Sequence, residues 1–310
     1  MLGFYAEGFQ RLFRGRVADN AEFLEKELLH IPFSLRNKVT NQRYSLSGFP
    51  CLYLGASVYA CWLELDKPTF DRLNIIRFQA VRGMKYIDLS LMPFNCLYMA
   101  KMIERKEQWL EYKEKESNIV SLCEKCLYTM PLIMACSIIN EKRANHDSFR
   151  SEYVIPQLFM HSIADGKFGA VTVKFTSNKV VGRAEPWAEF TLAMIPKQTK
   201  DDEVLSSELG EQFAVTNAMN ARLLLDMASV GNEFSCTQRV YAKNEGLYLP
   251  AQADAMEYCG IRNDVLSGPL RIMINRQWRE HHHTPFGKIE TALVNTGART
   301  INEVLNQERI

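Results

Sequence analysis

Residues 43–65 read RYSLSGFPCLYLGASVYACWLEL, and the point at which this stretch changes character decides the fold. CLYLGA (51–56) is short and apolar, the pattern of a buried strand. Ser57 is a good helix N-cap, and the run that follows predicts a helix to about Asp66, stopped by Lys67-Pro68. A strand feeding a helix through Gly55-Ala56-Ser57, inside a chain with no regular βαβ rhythm, points to an α+β fold.

Working outward, LFRGRVA (12–18) predicts a first strand and AEFLEKELLH (21–30) a short amphipathic helix. NIIRFQAV (74–81) and MKYIDLSL (84–91) are strand-like. Residues 95–128 predict a helix, in which IERKEQWLEYKEKE alternates charge as a solvated face does. PLIMACSII (131–139) is β-like. SEYVIPQLFMHSIADG (151–166) predicts a helix with Pro156 in its first turn and Asp165-Gly166 at its end. AVTVKFT (170–176) alternates as a half-buried strand and delivers Ser177. WAEFTLAMIP (187–196) predicts a further strand, and the polar stretch 197–211 an exposed connection. Then come a helix around 217–229, a hairpin from 237 to 250, a short helix ending at Gly260 and a terminal helix after Thr300. The expected organisation is a core over 1–196, interrupted by a helical insertion at 95–128. An α+β extension over 197–310 packs on that core.

The chain has 310 residues, 47% apolar and 24% charged, with a net charge of +1. That is ordinary globular composition, with no electrostatic footprint for nucleic acid or an anionic membrane. The N-terminus lacks the apolar region of a signal peptide, and no run approaches the roughly 18 apolar residues of a membrane span. A soluble, cytoplasmic protein is expected. The eight cysteines are scattered through apolar runs, as reduced thiols are. Cys123 and Cys126 form one CxxC with no second ligand pair, and the consecutive side chains of His281, His282 and His283 diverge. A metal site is therefore not expected, and the triplet reads as a solvated cluster. Walker loops, nucleophile elbows, HExxH and dinucleotide fingerprints are absent from the sequence. His161, on the apolar IPQLFMHSI helix, reads as a packing histidine.

Arg43, Tyr53 and Glu64 bring a cation, an aromatic face and a carboxylate into one strand–helix unit. Such a set suits a phosphorylated nucleotide whose glycosidic bond is to be broken. Glu64 lies among Trp62, Leu63 and Leu65, with small Ala60 and Cys61 on its helix face, leaving a carboxylate room to face a cleft. A buried carboxylate needs a cation, and Arg43 is the natural partner. A structural Arg43–Glu64 pair and a ligand site therefore both fit. Tyr53 alone fits a core position as well as a site.

The same residues resemble the opening of the RES domain, a bacterial family with an R-(F/Y)-S-x-x-G stretch, then LYLA-S, then a glutamate. Here these stand as RYSLSG, LYLGAS and WLELD. A second family block, an EYxIPQLL helix followed by a strand ending in serine, is similar to SEYVIPQLFMHSI and AVTVKFTSNK, with Phe175 where the family often has tyrosine. The resemblance covers roughly 12–185. It implies a split mixed sheet like that of ADP-ribosyltransferases. NAD would be a consumed substrate with no resident cofactor, and the role that of the toxin in a toxin–antitoxin pair with an Xre-type partner. Arg43 would bind the pyrophosphate or a ribose hydroxyl and Tyr53 would stack on nicotinamide or its ribose. Glu64 would stabilise the charge developing on that ribose. Ser177 would position nicotinamide or the attacking water, and Arg14, in the first strand, would reach the cleft. NAD glycohydrolysis leads. Protein ADP-ribosylation by the same residues and a non-enzymatic partner-binding scaffold are the alternatives.

Overall fold

The computed structural model describes residues 3–6, 11–18, 23–45, 47–90, 112–139, 149–166, 172–176, 182–183, 190–201, 203–231, 258–263, 270–274, 277–297 and 299–301. Two strands, β1 (Gly3–Ala6) and β2 (Leu12–Val17), precede the deciding segment. That segment then folds as its pattern dictates. β3 (Leu52–Gly55) leads into α1 (Val58–Glu64), and the Ser57 hydroxyl caps the helix by accepting from the Ala60 amide at 3.0 Å. The helix ends where Asp66 and Lys67 both take positive φ, ahead of Pro68.

β4 (Leu73–Ala80), β5 (Met84–Asp88), α2 (Tyr112–Cys136), α3 (Val154–Ala164), β6 (Thr172–Phe175), β7 (Gly182–Arg183) and β8 (Thr191–Met194) follow. The later part of the chain supplies α4 (Ser207–Gln212), β9 (Phe213–Val215), β10 (Met219–Asn220) and α5 (Ala221–Gly231). It continues with β11 (Tyr258–Asn263), β12 (Leu270–Ile274), β13 (Gln277–Glu280), α6 (Pro285–Asn295) and β14 (Arg299–Thr300). The fold is α+β.

A ten-stranded mixed sheet runs β1-β5-β6-β8-β3-β2-β4-β9-β14, with β10 also on β4. Its β5–β6 pair is parallel and its other pairs antiparallel. A four-stranded sheet runs β13-β12-β11-β7. β9, β10 and β14 thus extend the same sheet that the first 196 residues build. β2 pairs with β4 along its whole length, from Leu12↔Phe78 to Val17↔Leu73. It meets β3 at the single pair Phe13↔Gly55, so the sheet parts beyond that point.

Alternation along β2 sends neighbours into different cores. Phe13 packs with Trp62 and Tyr59 of α1, Leu224 of α5 and Phe286 of α6. Leu12 packs with Leu52, Leu54, Ile76, Leu192 and Phe213. A third cluster joins α2 and α3 to the sheet through Tyr44, Ile133, Phe159, Ile163, Val173 and Ala193, with Tyr53 at its edge.

Several expectations need correcting. PLIMACSII is not a strand, because α2 runs through it to Cys136. Its buried positions, Cys126, Thr129, Ile133 and Cys136, recur at helical spacing, while Leu127, Tyr128 and Met134 are exposed. The expected helix over 21–30 is a single 3-10 turn, Glu25–Leu28. Gly260 lies within β11 and does not end a helix. His161 is exposed beside Asp165 at 3.5 Å and is not a buried packing histidine. The polar stretch 197–211 is partly helical, and its Ser206 and Leu209 are buried. The hairpin expected over 237–250, the part of the helical insertion before Tyr112 and the terminal helix beyond Ile301 lie outside the described residues.

Candidate active site

The parting of β2 from β3 places Arg14 and Tyr53 on either side of the opening. The Arg14 Nη1 is fully buried and has no hydrogen-bond partner. Burial pulls the Arg14 pKa down to about 10. Cys51, Cys61 and Tyr53 lie near enough to oppose that shift, while Arg16 adds to it. Even so, the guanidinium keeps its charge at neutral pH. A buried cation nitrogen with an unfilled donor is costly, and an anion is what would satisfy it.

Tyr53 is packed as well as poised. Its hydroxyl accepts from the Tyr44 amide at 3.2 Å, and burial, with Cys51 beside it, pushes its pKa well above the ordinary phenol value. It therefore stays protonated. Burial also pushes the Cys51 thiol up to about 12, which rules it out as a nucleophile near neutral pH.

One residue from Tyr44, Arg43 turns to the end of α2. Its Nη1 donates to the carbonyls of Cys136 (2.7 Å) and Ile138 (3.1 Å), closing the C-terminus of that helix with a positive charge. Its guanidinium carbon lies 5.2 Å from the Tyr153 ring centre. Arg150 lies 4.9 Å from the same centre and donates to the Tyr153 hydroxyl at 2.5 Å. Gln157 of α3 donates to the carbonyls of Gln42 (3.0 Å) and Ser45 (3.2 Å), which ties α3 to the Arg43 loop. Outside this aromatic–arginine cluster lies an open groove of about 900 Å³ lined by Arg36, Asn37, Thr40, Asn41, Ser47 and Arg150, among others. Two guanidinium groups and several amides and hydroxyls give it the donors for an anionic ligand.

The structure thus brings Arg14, Tyr53 and Arg43 into one neighbourhood, linked through Cys51 and Tyr44. Glu64 follows on α1 one turn after Cys61, which neighbours Arg14. It is the last residue of α1 and exposed, so the premise of a buried carboxylate is overturned. The structural pair with Arg43 falls with it, since Arg43 donates to the α2 carbonyls instead. Six consecutive residues before Glu64, Val58 to Leu63, are buried, because α1 is packed between β2 and α6. Only its last residue emerges. Ser177 lies outside the described residues, and the preceding Thr176 is half-buried after β6.

Sequence reasoning overlooked Arg36, Arg150, Tyr153 and Glu152. The buried carboxylate next to the cluster is Glu152, only 8% exposed. The signal was present in the SEYVIPQ block, where an acid and a tyrosine stand before an apolar helix.

Taken together, the parts define an α+β protein whose sheet opens on a half-buried arginine–tyrosine cluster. The chain is 27% identical over 210 residues to a Bacillus subtilis (strain 168) protein named "Putative toxin YopC". That match covers 67% of this chain and 45% of the relative, so the chain spans less than half the relative's length. No family model matches the chain, and the resemblance to the RES domain rests on the quoted motifs. No solved structure matches it. Among the described residues, no helix is long and apolar enough to cross a membrane.

Proposed function

We propose that the chain is a toxin-like enzyme that consumes NAD by hydrolysing the bond between nicotinamide and ribose. The observation that carries this reading is Arg14, half-buried but with its Nη1 fully buried and lacking a hydrogen-bond partner, set beside Tyr53 where the sheet parts. Its donor suits a pyrophosphate oxygen, and the adjoining phenol offers a ring face to nicotinamide or its ribose. The groove at Arg36 and Arg150 has donors for the remaining phosphate charge. Arg43 acts by holding the loop 42–45 against α2.

Glu64, exposed at the C-terminal end of α1, accepts from the nicotinamide ribose and stabilises the positive charge that grows as the C1′–N bond lengthens. Ser177 orients the nicotinamide end or the incoming water. Water oxygen bonds to C1′, nicotinamide leaves as a neutral molecule with the bonding pair, and one proton is released with ADP-ribose. No strong general acid is required, because the leaving group is already cationic in NAD. Similarity to a protein named as a toxin supports a growth-inhibiting outcome, and loss of NAD supplies a means.

The test is incubation of the purified chain with NAD, with products separated chromatographically. Free nicotinamide and ADP-ribose in equal amounts are expected, with Glu64→Gln lowering turnover by about 10²-fold or more. Because Glu64 is exposed, that variant should keep its stability to within about 0.5 kcal/mol. Intact NAD with the wild-type chain, or full turnover by Glu64→Gln, would sink the proposal. ADP-ribose attached to protein would move it to transfer.

A further inference from the structure

We propose that Glu280, His282 and His283 form a binding site for a zinc-class divalent cation. The reading goes beyond the NAD site and is independent of it. β13 delivers Glu280, a 3-10 turn carries His281–His283, and Thr284 caps α6. One ligand atom from each of Glu280, His282 and His283 lies within 4.8 Å of the others. The His282 and His283 ring centres are 3.8 Å apart, and His282 Nε2 is 3.5 Å from Glu280 Oε2.

The expectation that consecutive histidines must diverge is half right. A 3-10 turn places successive side chains about a third of a turn apart. His281 takes the inward direction and meets Glu290 of α6, Nε2 to Oε2 at 2.9 Å, with both side chains largely buried. That leaves His282 and His283 together on the outer side with Glu280. The triplet therefore divides into one structural histidine and two that converge on a carboxylate.

The turn presenting them is held firmly. The His281 carbonyl accepts from the Thr284 amide at 3.0 Å and the Thr284 hydroxyl at 2.5 Å. Thr284 is fully buried. A Cβ at position 287 would lie 2.3 Å from the His281 carbonyl oxygen, so only glycine lets α6 pack this close to the turn. Ligands on a fixed turn lose little freedom on binding.

Two imidazoles and a carboxylate are a borderline cation's donor set, and three protein ligands leave one position open. An ion about 2.1 Å from each donor would draw them to about 3.4 Å apart, a closure that side-chain rotation supplies. Binding also has a structural consequence. Glu290 Oε1 accepts from the Val58 amide at 2.8 Å and its Oε2 lies against His281, so the turn that holds the metal abuts the residue that anchors the start of α1.

The probe is Zn²⁺ added to the full chain carrying no added histidines, followed by titration calorimetry, thermal unfolding and the spectrum of the Co²⁺ form. One saturable equivalent and a raised melting temperature are expected. A His282→Ala, His283→Ala double variant should lose both, and Glu280→Gln should bind at least tenfold more weakly. A Cys123→Ser, Cys126→Ser variant should bind as wild type does, and cobalt should show ligand-field bands without thiolate charge transfer. His282 is exposed and Glu280 and His283 are half-buried, so circular dichroism checks that each variant is folded, and Glu280→Gln gives a second reading if the double variant is impaired. No saturable binding, binding unchanged by loss of both histidines, or a thiolate band would overturn the proposal.

Discussion

Arg14 is the residue whose placement demands a reason. A fold gains nothing from a guanidinium nitrogen that is buried and unbonded, and the lowered pKa records the cost of keeping it there. If that cost is kept for an anionic ligand, Arg14→Met should leave the melting temperature unchanged or raise it, since an apolar chain of similar length relieves the penalty. The same variant should lose NAD turnover. A purely structural arginine predicts the reverse, a loss of about 3 kcal/mol or more in denaturant unfolding. Calorimetry beside an activity assay distinguishes the two. The sequence marked Arg14, Arg43 and Tyr53 by motif, and the structure groups them. Glu64 was misread, because apolar neighbours say little about exposure in a helix buried nearly all round until its last residue. Nothing local in the letters encodes where such a helix leaves the core.

At the scale of elements, Arg43 explains how a loop and a helix end are made to agree. Its two carbonyl bonds satisfy acceptors at and just beyond the C-terminus of α2, which have no helical partner. Arg43→Ala should cost about 1.5–3 kcal/mol, the range for hydrogen bonds with a charged partner. Hydrogen exchange should quicken in the last turn of α2 and in the 42–45 loop, while α1 is unaffected. Uniform acceleration across the chain would contradict that local role. Elements with strong local signals were legible beforehand: the strand–cap–helix of 52–64, the long β4, and β6 behind its helix. The 131–139 segment was not, because a short apolar run reads alike as buried strand or buried helix. Packing of Ile133 and Cys136 in the cluster formed with α3 decides it, and that is a tertiary fact. β9 and β14 were equally hidden. Strands of three and two residues carry no period, and their places, β9 beside β4 and β14 beside β9, depend on partners far away in sequence.

The whole molecule is closed by contacts between its early and late segments, and His30 sits at one of them. Its ring is buried, 1% exposed, with Nε2 accepting from the Ser206 amide at 2.9 Å and Nδ1 donating to the Ile31 carbonyl at 2.7 Å. Those partners fix the neutral tautomer protonated at Nδ1. Nearby, the Phe33 amide donates to the Val204 carbonyl at 2.9 Å, so residues 30–33 and 204–206 are joined twice. Burial lowers the His30 pKa to about 4, opposed by its bond to Ile31. An unfolded chain would take up a proton at about 6.5, whereas the folded chain refuses it until about 4. The stabilisation is therefore complete above pH 6.5 and is lost progressively as pH falls towards 4, by about 3 kcal/mol in all. Other histidines and carboxylates titrate over the same range, so the measurement is a difference. Urea midpoints for wild type and His30→Leu should be compared at several pH values between 7 and 4. The variant loses the Ser206 bond and starts less stable at pH 7, but the gap should narrow as the pH drops. A gap that stays constant across that interval would mean that His30 does not couple protons to the joining of the two segments.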